Sequence, residues 1–117
     1  MRPTSTTRVV LADRPGIGRS AIATLVAETS GLSLVAKVSG MEEIEPAVED
    51  VAPDVVVIDD RLLRRDGWNA REIDARVIVV GVDDDPAYIA RARRIGAEAW
   101  VPKDRADELV SSLVMGA

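Results

Sequence analysis

The chain contains neither cysteine nor histidine. Without cysteine there is no disulfide and no thiolate metal site. Without histidine it lacks the commonest general base and metal ligand, which excludes most hydrolase triads. Phenylalanine is absent and aromatics make up 3% of residues, too few for a platform that stacks single-stranded nucleic acid. No apolar run approaches the ~20 residues of a membrane span. The polar start, Met1 to Thr7, has no apolar stretch of the signal-peptide kind. Net charge is −5 with no long basic block, which argues against this chain alone gripping nucleic acid. A cytoplasmic location, away from membranes, is the default expectation.

What is present is enough for one domain with a real core: 117 residues, 47% hydrophobic and 30% charged. The most informative stretch is Pro53-Asp-Val-Val-Val-Ile-Asp59-Asp60, a continuous apolar run that ends in two carboxylates. Continuity rather than alternation reads as a strand buried on both faces. Two further runs end the same way, Arg8 to Ala12 at Asp13 and Arg76 to Val82 at Asp83, Asp84 and Asp85. In an open parallel sheet the carboxyl ends of the strands line one edge, where ligands bind. Acids gathered there would suit Mg²⁺ and phosphoryl chemistry.

Strand and helix patterns alternate. Strands are expected at 8–12, 32–38, 55–59, 77–82 and 99–101. Helices are expected at 17–29, after Gly40, between Gly67 and Ala75, from Pro86 to Gly96, and over 105–115. Pro46 means that the second helix starts late or has an irregular first turn, since proline is tolerated only there. The third helix has room for about two turns. Asp85-Pro86 is a cap followed by a proline at the first helical position. Five strand–helix repeats with right-handed crossovers predict an α/β fold. The expected architecture is a flavodoxin-like (βα)5 three-layer sandwich with a five-stranded parallel sheet of order 2-1-3-4-5. Residues 1–7 read as a disordered or extended tail and 8–117 as the domain.

Arg14-Pro-Gly-Ile-Gly18 places Gly-x-Gly after the first strand. Position 21 is alanine, and Lys37-Val-Ser39 stands where a dinucleotide site carries an acid. The motif therefore reads as a turn that starts a helix.

The acids carry more. Leu11-Ala-Asp13, Pro53 to Asp59, Asp66-Gly67, and Gly96-Ala-Glu-Ala-Trp100-Val-Pro-Lys103-Asp104 together resemble the receiver domain of two-component response regulators. The resemblance runs from about Arg8 to the end. It is closest to the branch that usually precedes a helix-turn-helix output domain, so the chain is expected to be the front half of a transcription regulator. It implies Asp59 as phosphoacceptor, with Asp13, Asp59 and the Arg61 carbonyl around Mg²⁺. It also implies Lys103 on the phosphoryl group and Trp100 as the switch aromatic. These roles are chemically coherent: a carboxylate attacks phosphorus, a divalent ion offsets crowded negative charge, and a lysine neutralises the transferred oxygens.

The departures from that pattern direct the functional reading. Receivers carry two adjacent acids after the first strand, and here Asp13 is followed by Arg14. Asp13 and Asp59 against Arg14 and Lys103 sum to zero, where three carboxylates and one lysine give −2. Mg²⁺ binding is therefore expected to be weak or absent. Arg14 either pairs with Asp59 or Asp13 in the metal's place or points into solvent, since successive residues leaving a strand face opposite ways. The same alternation makes Asp60 a poor substitute acid. Gly81 stands where the family has Thr or Ser, which removes the hydroxyl that links the phosphoryl group to Trp100. Leu63 replaces a common proline, and the third helix is trimmed.

The expectation is an atypical receiver: a regulatory interaction module, not an enzyme, acting on transcription through an attached or partner output domain. One alternative is a conventional phosphorelay receiver phosphorylated on Asp59 by a histidine kinase. Another is a flavodoxin-like regulator that binds a nucleotide or other anion at Arg14 to Gly18. By the resemblance, a homodimer would form through the fourth helix, fifth strand and fifth helix, a face with Arg91, Arg93, Arg94, Trp100 and Asp104.

Overall fold

The computed structural model describes residues 6–63 and 68–115. Five strands form one parallel sheet: β1 (Thr7–Ala12), β2 (Leu32–Val38), β3 (Val55–Asp59), β4 (Arg76–Gly81) and β5 (Ala99–Pro102). Their order is β2-β1-β3-β4-β5, as the alternating pattern implies. Among the described residues four α-helices cover the two faces: α1 (Ile17–Glu28), α2 (Ile44–Val51), α3 (Pro86–Arg94) and α4 (Ala106–Met115). No helix among the described residues is long and apolar enough to cross a membrane.

The period-two alternation of the strands sorts the core into two layers. Val9, Leu11, Val55, Val57, Ile78 and Val80 pack with Ile22 and Val26 of α1 and with Leu109 and Leu113 of α4. Val10, Ala12, Val56, Ile58, Val77 and Val79 pack with Ile44 and Val48 of α2 and Ala92 of α3. All residues of β3 are buried, as expected of a central strand covered on both sides. β1 lies between β2 and β3, so Asp13 and Asp59 leave neighbouring strands at the same sheet edge.

Asp85 caps α3 as its sequence implies: its side chain accepts from the Ala87 amide at 2.8 Å, and Pro86 takes the first helical position. Pro46 sits in the first turn of α2, after a 3-10 turn at Met41–Glu43. The second helix thus starts late and its approach is irregular. The expected third helix is a correction. Among the described residues, the crossover from β3 to β4 holds 3-10 turns at Asp60–Leu62 and Ala70–Glu72 and no α-helix. Asn69 accepts from the Arg71 amide at 2.8 Å, a local bond that competes with a continuing helix. Asp66 and Gly67 lie outside the described residues. Leu63, in place of the common proline, is buried in the second core layer. The expected fourth and fifth helices are α3 and α4.

Arg76 ties the far end together. Its guanidinium holds Glu98 (Nε to Oε1 3.1 Å) and donates to the last-turn carbonyls of Ser112 (2.6 Å) and Leu113 (3.1 Å). It thereby satisfies carbonyls that a helix end leaves open. Ala52 ends α2 at φ 46°, and its carbonyl is held by Arg8 Nη1 at 2.8 Å. A left-handed residue with a Cβ costs about 1–2 kcal/mol, and glycine gives back part of that through unfolded-state entropy. Ala52→Gly is therefore expected to raise stability by about 0.5–1 kcal/mol, read as a higher urea midpoint at unchanged slope.

Candidate functional site

Asp13 directly follows β1, Asp59 ends β3, and Lys103 directly follows β5. All three residues continue the strand parity that faces α1 and α4, so their side chains meet. Lys103 Nζ donates to Asp13 Oδ2 at 2.9 Å and also contacts Asp59 Oδ2. The two acids are 3% and 1% exposed, so the ammonium is what makes their burial tolerable. The Lys103 amide donates to the Gly81 carbonyl at 2.8 Å, which sets where its stem starts. An ideal Cβ on Gly18 would stand 3.2 Å from Lys103 Nζ. The second glycine of the Gly-x-Gly motif therefore clears room for an ammonium. The first, Gly16 at φ 156°, serves the turn into α1.

Arg61 approaches the same acid from outside. Its amide donates to Asp59 Oδ1 at 2.7 Å, and its guanidinium lies 3.5 Å from both carboxylate oxygens. The expectation gave Arg61 a role through its carbonyl alone; here its amide and side chain both engage Asp59. Arg14 is exposed. Among the described residues the cations on the acids are Lys103 and Arg61, so the pairing of Arg14 with Asp13 or Asp59 is not formed. The solvent-facing alternative holds, as strand alternation requires.

Burial would raise the Asp59 carboxyl, but the Lys103 bond, the Arg61 amide and the Lys103 charge bring it below the ordinary carboxylate range. Burial raises Asp13; the Lys103 bond opposes this and the Asp59 charge adds to it. Burial would depress Lys103, but its bonds to Asp59 and Asp13 hold it above the ordinary lysine range. One ammonium shared by two acids thus favours the ionised form of Asp59 over that of Asp13.

Other predicted residues go elsewhere. Asp83 and Asp85 are exposed and serve the turn and cap before α3. They are not part of the cluster, which corrects the view of three strands feeding acids to one pocket. Asp60 is buried but points to the opposite layer, where its Oδ2 accepts from Trp100 Nε1 at 3.0 Å. Burial raises its carboxyl, with Trp100 opposing and the Asp59 charge adding. Trp100 lines two surface grooves, one of about 570 Å³ with Val82, Asp104 and Arg105, and one of about 110 Å³ with Ile89 and Arg93. Arg94 is exposed on α3, and Arg91 lies 5.9 Å over the Tyr88 ring.

The sequence did not reveal the Arg61 guanidinium contact or the Asp60–Trp100 bond. The signal for the second was parity: residues 60 and 100 both fall in the layer facing α2 and α3.

Removing the lysine leaves two buried acids facing each other. Lys103→Met is expected to cost about 3 kcal/mol at neutral pH, measured by urea unfolding. The stability contributed by Asp59, whose carboxyl is lowered on folding, is present above the ordinary carboxylate range and lost as pH falls through its folded value. The penalty of the variant therefore shrinks on acidification. That of Lys103, raised on folding, persists through neutral pH and is lost only in strong alkali.

No family model matches the sequence, and no curated protein does. Solved structures do match. The signal receiver domain of the response regulator NarL from Mycobacterium tuberculosis is 20% identical, with 97% of this chain and 99% of that one covered and a TM-score of 0.77. A LuxR-family two-component response regulator from Aurantimonas is 25% identical over 96% and 87% of the two chains, at 0.77. A structure of CheY6 of R. sphaeroides, in complex with the P1 domain of CheA3, matches at 20% identity, 97% and 99% coverage, and 0.77. With the parallel order 2-1-3-4-5 and an acid–lysine cluster at the carboxyl edge, this chain has the receiver-domain fold of two-component response regulators.

Proposed function

We propose that this chain is an atypical receiver: a regulatory interaction module whose state is not set mainly by Mg²⁺-dependent phosphorylation. The observation that carries this reading is the placement of the Lys103 ammonium on both Asp13 and Asp59. Mg²⁺ demands near-octahedral oxygen ligands at about 2.0–2.1 Å. Here two carboxylates are engaged by one ammonium, and a guanidinium lies on the outer side of Asp59. Among the described residues no three acids converge closely enough to hold an ion, and Arg14 occupies the position of the missing acid. The donor set does not fit the ion unless Lys103 withdraws. Gly81 offers no hydroxyl to follow a phosphoryl oxygen. The module acts on transcription through an attached or partner output domain, a role supported by the LuxR-family name of the Aurantimonas regulator.

One observation favours the conventional phosphorelay reading: Asp59 is held ionised with a lysine on its Oδ2, the state a nucleophilic carboxylate needs. Under that reading a histidine kinase is the donor, and the CheY6 structure solved with a CheA3 domain supports a partner of that kind.

The two readings separate in an amide-resonance titration with Mg²⁺ and then beryllofluoride. The expected outcome is no saturating shift at Asp13, Asp59 or Lys103 at millimolar Mg²⁺, and a site gained by Arg14→Asp. Saturation in the unmodified chain, with beryllofluoride shifts spreading to Trp100, would restore phosphorelay signalling.

A further inference from the structure

Asp59 and Asp60 are successive residues whose carboxylates serve opposite layers. Asp60 is 3% exposed. From the end of β3 its carboxylate passes over β4 and reaches the indole of β5, where Trp100 Nε1 donates to Oδ2 at 3.0 Å. The β4 residue it crosses is Gly81. An ideal Cβ there would lie 2.0 Å from Asp60 Oδ2, 2.8 Å from Asp60 Cγ and 2.9 Å from Trp100 Cζ2. The first two distances are far inside van der Waals contact. Asp60 has a short, buried side chain at the start of a 3-10 turn, so it cannot yield by a small rotamer change. A side chain at position 81 and the carboxylate of Asp60 exclude each other.

We propose that Asp60 is the positioning residue for Trp100, and that Gly81 is the opening through which it acts. Position 81 is then not simply a lost hydroxyl: the space of its side chain holds a carboxylate from the neighbouring strand. Trp100 is the wall between the two grooves beside α3 and after β5. Fixing its indole gives that face one resident shape. This goes beyond the reading of the Asp59 cluster, because the contact lies in the other layer and needs neither ion nor phosphoryl group.

The test is made on the full chain without Mg²⁺ or phosphodonor. The readout is hydrogen exchange at the Trp100 indole, assigned by comparison with Trp68→Phe. Asp60→Ala is expected to speed exchange about tenfold, the equivalent of one lost hydrogen bond. Asp60→Asn keeps an acceptor and should restore slow exchange, which a space-filling role alone would not explain. Gly81→Ala should speed exchange in the native background and lower the urea midpoint. In the Asp60→Ala background the same substitution should cost markedly less, a non-additivity that marks direct contact. Equal indole exchange in the native chain and Asp60→Ala would overturn the proposal, as would an equal cost of Gly81→Ala in both backgrounds. If Gly81→Ala does not fold, the contrast between Asp60→Ala and Asp60→Asn decides alone.

Discussion

The parallel sheet brings Asp13 and Asp59 to one edge whether or not their charges agree. β1 and β3 are hydrogen-bonded neighbours, about 4.8 Å apart, and both end at that edge. Two carboxylates so placed, nearly without solvent, repel each other and lose hydration. Unit charges 4 Å apart at an effective dielectric of 20 interact by about 4 kcal/mol, so the pair demands a counter-charge. Lys103 supplies it from β5, on the far side of β4. Only a long stem can bridge that distance. The Gly81 carbonyl anchors the lysine backbone, and Gly18 leaves the ammonium its space. Given the order of the strands, the choice of lysine and the glycine in α1 answer one electrostatic requirement.

That requirement can be met by an ammonium or by a divalent ion, and the local charge decides how they compete. With a third acid the cluster keeps a negative charge after the lysine is counted, and an ion still gains from entering. With Arg14 in that position and facing solvent, Asp13, Asp59 and Lys103 leave −1, one negative charge fewer than with a third acid. Arg14 does not need to touch the acids for this to matter; its absence as a carboxylate is sufficient. Arg61 strengthens the effect because its guanidinium lies against Asp59 itself. The cluster is thus closest to self-sufficient in the state seen here, which is the physical content of the atypical reading.

The strands were legible as apolar runs, most clearly β3 and β4 with their Val and Ile, and the start of α3 because Asp85-Pro86 encodes a cap. The crossover from β3 to β4 was not. The stretch between Gly67 and Ala75 has room for a short helix, but Asn69 spends its side chain on the Arg71 amide and the turn closes after Glu72. Asp13 and Asp59 were legible from the strand ends at which they stand, and Lys103 from the resemblance to receiver domains. What Arg61 does was not legible, because a flexible guanidinium two residues from its partner has many rotamers and only packing selects one. Asp83 and Asp85 misled for a related reason: a carboxylate after a strand is equally a turn residue, and their bonds to nearby amides took precedence.

Alternation explains both what was found and what was missed. Counting along β1 and β3 puts Asp13 and Asp59 in one layer, and sends Asp60 to the other. The same count makes Asp60 a poor metal ligand. Continued into β4 and β5, it places Gly81 and Trp100 in the layer that Asp60 enters. The glycine then lies between a carboxylate and an indole on flanking strands. The three make one arrangement, because the carboxylate fits only where position 81 has no Cβ. A residue judged by what its own position usually does looks like a loss. Judged by what its neighbours place in the same volume, it is half of a contact.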